Sequence, residues 1–281
     1  MAIMTPKRKN ETHHYILMPD AFHPLPRYST VPWPLKDEAD QLVAEAYKEL
    51  DYSYRTALAK VRKALKLDPG CSHAFAFLAD YEAKTPTETV EYYRKAVETA
   101  AHTLGNEFFQ KHIGEFWDWE CTRLYIKLLA RLANRLYIAG QPLESLVCYK
   151  RLLELNRNDS MGVRYYVIHL MIELGHAEEA DTFYETLKDE NSTFVRYAYC
   201  LMTFRKTGYS SQSCHAFQQA FMSNKFVPVM LLKYEPFPND DSCLPVDQAE
   251  AMDYCNIALS AWKNTPEALN WLKMVSVQCD S

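Results

Sequence analysis

The chain of 281 residues predicts an all-α fold of antiparallel helix pairs, and three observations predict it. Gly140, Gly175 and Gly208 lie 35 and 33 residues apart, and an apolar helical stripe precedes each of them. A small residue follows each glycine at the fifth position (Ser145, Ala180, Ser213), and an aromatic follows at the ninth (Tyr149, Tyr184, Phe217). Glycine is scarce, with only 7 in the whole chain, which suits long helices joined by short turns.

Glycine allows a tight turn between two helices, the small residue lets their backbones approach, and the aromatic fills the gap to the next pair. The spacing matches the roughly 34-residue period of tetratricopeptide (TPR) repeats. The expected architecture is a TPR-like α-solenoid of about five antiparallel helix pairs, with an N-terminal extended arm and a C-terminal helical cap. At Gly175 a β-branched side chain is expected to clash and to cost about 1–2 kcal/mol or more.

Residues 1–36 contain six prolines (Pro6, Pro19, Pro24, Pro26, Pro32, Pro34), too many for a helix or a central strand. Tyr15, Phe22, Tyr28 and Trp33 are interspersed, so the segment reads as an arm lying on the first two helix pairs and leaving the groove of the last three open. The repeat array is expected over residues 37–224. Its first pair ends on Ala57, Ala64 and Pro69, and its second runs over 74–83 and 87–104, with Tyr93 and Ala96 at the aromatic and small positions. Residues 105–119 break the period with Gly105, Gly114 and the aromatics Phe108, Phe109, Phe116, Trp117 and Trp119, an insert expected to pack against the core. First helices of the later pairs are expected from Glu120, over 160–174 and over 193–207. Residues 225–281 read as a proline-bearing loop, a helix over 247–263, and a closing helix with Pro266 in its first turn. Met252, Leu259, Trp262 and Trp271 supply the apolar face of this cap.

Net charge is −5, which argues against a nucleic-acid partner. The eight cysteines (Cys71, Cys121, Cys148, Cys200, Cys214, Cys243, Cys255, Cys279) form no C-x-x-C pair and fall mostly in apolar helical stretches. They read as free thiols in a reducing, cytoplasmic setting. No membrane span or signal peptide is expected.

The string Glu107-Phe-Phe-Gln-Lys-His-Ile-Gly-Glu-Phe-Trp117, followed by Glu120-Cys-Thr-Arg-Leu-Tyr125, carries a family resemblance. It continues through Leu155-Asn-Arg-Asn-Asp-Ser-Met-Gly-Val-Arg-Tyr165, Glu173-Leu-Gly-His-Ala-Glu-Glu-Ala180 and the segment from Ala261 to Leu272. These residues resemble a bacterial TPR family related to the eukaryotic suppression-of-tumorigenicity repeat proteins. Ser160 and Met161 depart from it, where the family more often shows Asn and Gln. The resemblance implies a TPR-like body and supplies no catalytic residues.

In a TPR pair, positions 2, 5, 9 and 12 of the first helix face the groove. With each turn glycine at position 15, the expected groove residues are Lys127, Asn134, Tyr137, Tyr165, His169, Met202 and Arg205. Amide, basic and aromatic groups in this mixture suit an extended peptide or an acidic tail. An ordinary solvated surface, or a groove plugged by the chain's own N-terminal arm, is the competing reading. Arg123, Arg164 and Arg196, near the starts of three first helices, form a possible anion site; the competing reading pairs each with a nearby acid such as Glu120 or Asp159. No H-E-x-x-H, phosphate loop or G-x-S-x-G is present, and neither a metal nor a cofactor is expected. The expected function is a protein-interaction scaffold for a peptide or partner protein. The alternative is an effector or enzyme that uses the repeat body as scaffold and acts through the arm and aromatic insert.

Overall fold

The computed structural model describes residues 33–233 and 245–279, and among them the fold is all-α and TPR-like. Residues 1–32 of the arm expected over 1–36, and residues 234–244 of the expected loop, lie outside the described residues. The helices are α1 (Trp33–Glu49), α2 (Tyr54–Leu67), α3 (Ser72–Tyr81), α4 (Pro86–Leu104), α5 (Asn106–Lys111), α6 (Glu120–Ile138) and α7 (Pro142–Leu155). They continue with α8 (Val163–Glu173), α9 (Ala177–Glu185), α10 (Thr193–Thr207), α11 (Ser211–Ser223), α12 (Phe226–Leu232), α13 (Val246–Lys263) and α14 (Ala268–Cys279). The described residues gather into two compact units that divide within α8, after Val167.

In the N-terminal unit the hairpins are α1/α2, α3/α4 and α6/α7. Ala57, Val61 and Ala64 bring α2 against α1, and Ala39, Val43 and Ala46 answer from α1; all six are buried. Local sequence sets the helix starts: the Ser53 hydroxyl accepts from the Thr56 amide, the Thr85 hydroxyl from the Glu88 amide, and Pro86 and Pro142 occupy first turns that need no N–H donor. In the C-terminal unit, α10 and α11 form a hairpin that opens on a capping box between Ser210 and Ser213. The repeat residues do what their spacing predicts. Ser145, Ala180 and Ser213 are buried at the close approaches, as are Tyr149 and Phe217.

Gly140, Gly175 and Gly208 turn the chain at φ of 75°, 77° and 58°. A Cβ added at Gly175 would meet nothing within 4 Å, so the expected clash is absent and the backbone angle alone demands glycine. Gly175→Val is still expected to cost about 1–2 kcal/mol, now from the left-handed backbone. A thermal melt checks it; an unchanged midpoint would remove the requirement.

Four boundaries differ from the expectations. Helix α1 begins at Trp33, before Asp37, because a proline such as Pro34 is tolerated in a first turn. Helix α8 begins at Val163 and not near 160, since Asp159, at φ 43°, and Gly162 turn the chain first. Residues 226–232, expected as loop, form α12, with Pro228 in its opening turn and Val227, Pro228 and Leu231 buried. Helix α14 starts at Ala268, so Pro266 precedes it in a turn where Glu267 takes φ 61°.

Candidate functional site

The expected groove residues fall into both units, and each set is described within its own. On α6, Lys127, Asn134 and Tyr137 are half-buried and share a stripe with Arg131, because spacings of three and four return to one helix face. Asn134 Oδ1 is buried and has no hydrogen-bond partner among the described residues. Beside it runs a polar cluster that sequence reasoning missed. Asp80 of α3 accepts from the Tyr93 hydroxyl at 2.6 Å and faces Arg131 and Arg135 at 3.6 Å each. Burial, reinforced by the Asp80 charge, pushes the Tyr93 and Tyr47 hydroxyls well above the usual tyrosine range, so both stay protonated.

A register in the sequence makes sense of this cluster. Tyr166 and Tyr199 each stand nine residues before a turn glycine, and each stacks on the aromatic of the preceding second helix. Tyr149 meets Tyr166 at 4.9 Å with 22° between planes, and Tyr184 meets Tyr199 at 4.8 Å with 16°. The matching position before Gly140 is Arg131, which lies within electrostatic reach of Tyr93. The signal was available in the aromatics that precede the glycines; the expectation had read only those that follow.

Tyr165 lies at the start of α8, held by the Asn158-Asp159-x-x-Gly162-x-Arg164-Tyr165 segment. Asp159 caps the helix: its carboxylate accepts from the Val163 amide at 2.7 Å, the Arg164 amide at 3.0 Å and the Arg164 guanidinium at 2.8 Å. The guanidinium also stacks 4.5 Å over the Tyr165 ring and donates to its hydroxyl at 3.0 Å. Arg123 donates to the Trp117 carbonyl at 3.2 Å and lies over that ring at 5.9 Å. Arg196 donates to Asn191 Oδ1 at 3.1 Å. Each of these three arginines therefore has a partner on its own helix start or the loop before it.

In the C-terminal unit His169 is 1% exposed, and its ring meets Tyr254 of α13 edge-on at 5.2 Å. Tyr254 also packs on Phe194 and Tyr197. The cap helix thus covers His169, which was expected to face an open groove. Glu250 fastens the cover through Thr193 Oγ1 at 2.7 Å and Asn224 Nδ2 at 3.1 Å. Met202 is buried but lines a cleft of about 360 Å³ between α9 and α10, with Tyr184, Tyr199 and the Asp181–Lys206 ion pair at 2.5 Å. Arg205 is exposed and donates to the Ile172 carbonyl at the end of α8.

The aromatic insert is partly core and partly surface. Phe116 is fully buried, whereas Trp119 is 43% exposed and Ile113 44%. Among the described residues no cluster of three or more His, Cys, Asp or Glu side chains has the arrangement to hold a metal ion. Burial pushes the thiols of Cys121, Cys148, Cys200 and Cys255 upward, away from the thiolate a nucleophile requires. No helix among the described residues is long and apolar enough to cross a membrane.

No family model matches the chain, and no curated protein matches it. Among solved structures, the chain is similar to YrrB, described as a TPR protein with an unusual peptide-binding site. The likeness is at 19% identity and a TM-score of 0.47, over 69% of this chain and 86% of that one. The peptide-binding site so described is YrrB's. These comparisons show neither a bacterial TPR family nor a relation to the suppression-of-tumorigenicity repeat proteins.

Proposed function

We propose that the chain is a protein-interaction scaffold that holds an extended peptide, or an extended segment of a partner protein, along the α6 stripe of its N-terminal unit. The observation that carries this reading is Asn134, whose buried carbonyl oxygen lacks a hydrogen-bond partner among the described residues while its side chain sits on a half-open face. A buried acceptor without a donor costs free energy, and the backbone N–H of an extended peptide would satisfy it. Lys127, Tyr137 and Tyr165 add ammonium and phenol groups, and the Arg131 and Arg135 guanidiniums both face the Asp80 carboxylate. A ligand bearing carboxylates fits that chemistry better than a basic one. The reading assigns no catalysis and no cofactor. A reducing, cytoplasmic setting suits the free thiols at Cys71, Cys121, Cys148, Cys200, Cys214 and Cys255.

The test is selection of phage-displayed random dodecapeptides on the whole protein, followed by fluorescence anisotropy with the enriched sequences. Asn134→Ala and Tyr137→Ala are each expected to weaken binding about tenfold, near 1.4 kcal/mol, while leaving the melting temperature within a few degrees. Failure to enrich any peptide, or affinities that ignore both substitutions, would overturn the proposal.

A further inference from the structure

We propose that the 105–120 insert is a second docking surface, distinct from the α6 stripe, for a partner segment that alternates cationic and apolar side chains. Three observations meet there. The first is an aromatic cluster with one exposed member: the half-buried His112 lies between the half-buried Phe108 at 4.4 Å and Trp119 at 4.6 Å, and those two rings are 6.1 Å apart. Trp119 and the neighbouring Ile113 nevertheless keep large open faces.

The second is rigidity. An isolated antiparallel bridge joins Glu115 to Asn156, with the Phe116 amide donating to Leu155 at 2.9 Å and the Arg157 amide to Gly114 at 3.1 Å. The Thr122 hydroxyl donates to the Phe116 carbonyl from below. The Trp119 carbonyl accepts from the same hydroxyl at 2.7 Å, so the exposed indole stands on a tied backbone and loses little entropy on binding, as interface hot spots require.

The third is charge. Glu107, Glu115, Asp118 and Glu120 are exposed along this segment, and among the described residues no Lys or Arg forms an ion pair with any of them; the His112 ring nitrogen lies 3.9 Å from the Glu115 carboxylate. Three basic residues share this stretch, fewer than the four carboxylates: Lys111 is exposed, Arg123 lies on Trp117, and Arg157 packs across Gly114, where an added Cβ would fall 2.7 Å from its Nε. The exposed Trp119 side chain, flanked in sequence by Asp118 and Glu120 and next to the His112–Glu115 contact, attracts a guanidinium or ammonium through the ring quadrupole and the charges together, and the exposed Ile113 takes the apolar residue beside it.

The probes are two fluorescein-labelled peptides, one alternating Arg with Leu and one alternating Glu with Leu, titrated against the full chain by anisotropy. The Arg–Leu peptide is expected to bind, to weaken about tenfold with Trp119→Ala, and to recover with Trp119→Phe. Joint substitution Glu115→Gln, Asp118→Asn and Glu120→Gln should weaken it similarly without touching a buried side chain, while Asn134→Ala leaves it unchanged. Binding of both peptides alike, binding of neither, or indifference to Trp119→Ala and to the neutralised carboxylates in folded protein would overturn the proposal. Because Asn134 belongs only to the α6 stripe, failure of one surface is distinguishable from failure of the other.

Discussion

Trp271→Ala is expected to destabilise the C-terminal unit by about 3–5 kcal/mol, the usual cost of emptying a fully buried aromatic site. Trp271 is 0% exposed. Its ring stacks on Phe204 at 4.4 Å and meets Phe217 edge-on at 6.0 Å. Phe217 occupies the aromatic position of the last repeat, where Tyr149 and Tyr184 each find a tyrosine of the following first helix. Among the described residues no further repeat follows α11, and Trp271 supplies the surface against Phe217, which is why its loss would uncover that ring. Urea unfolding followed by circular dichroism measures the change. Trp271→Phe should retain more than half of the stability, because a second ring still stacks on Phe204. A midpoint unmoved by Trp271→Ala would show that α14 is not the closing element.

Asp159→Ala is expected to cost about 3 kcal/mol. The carboxylate is 8% exposed and takes two backbone amides of the first turn of α8 as well as the Arg164 guanidinium. A lost helix cap costs about 1 kcal/mol, and a broken charge-assisted hydrogen bond adds about 1.5–3. Alanine is also disfavoured at φ 43°, a conformation that Asp and Asn tolerate better. Asp159→Asn keeps an acceptor and the backbone preference, so it should lose roughly half as much. Hydrogen exchange of the Val163 and Arg164 amides gives the local readout: both should exchange faster in Asp159→Ala, and unchanged protection would contradict the capping role.

The helix pairs were legible because their signals are local. Gly140, Gly175 and Gly208 mark turns through a backbone angle that belongs to glycine, and Ser53, Thr85, Pro86 and Pro142 mark starts through groups within one turn. The candidate site was legible only as a list of positions. A groove rule applied to α10 named Met202, which is buried and lines the cleft that α10 shares with α9. The same rule named His169, which α13 covers with a tyrosine 85 positions further along the chain.

The sequence by itself determined an all-α repeat, its period, the turn glycines, and the small and aromatic residues that seat one helix against the next, because each follows from spacing along a single helix or turn. Tertiary structure decided the rest: that Arg131 replaces a stacking tyrosine beside Tyr93 and Asp80, that the Asn134 carbonyl has no hydrogen-bond partner among the described residues, that α13 covers His169, and that Trp119 stays open while Phe116 is sealed. Whether a side chain faces water or another helix depends on residues tens of positions away, and no local periodicity carries that information.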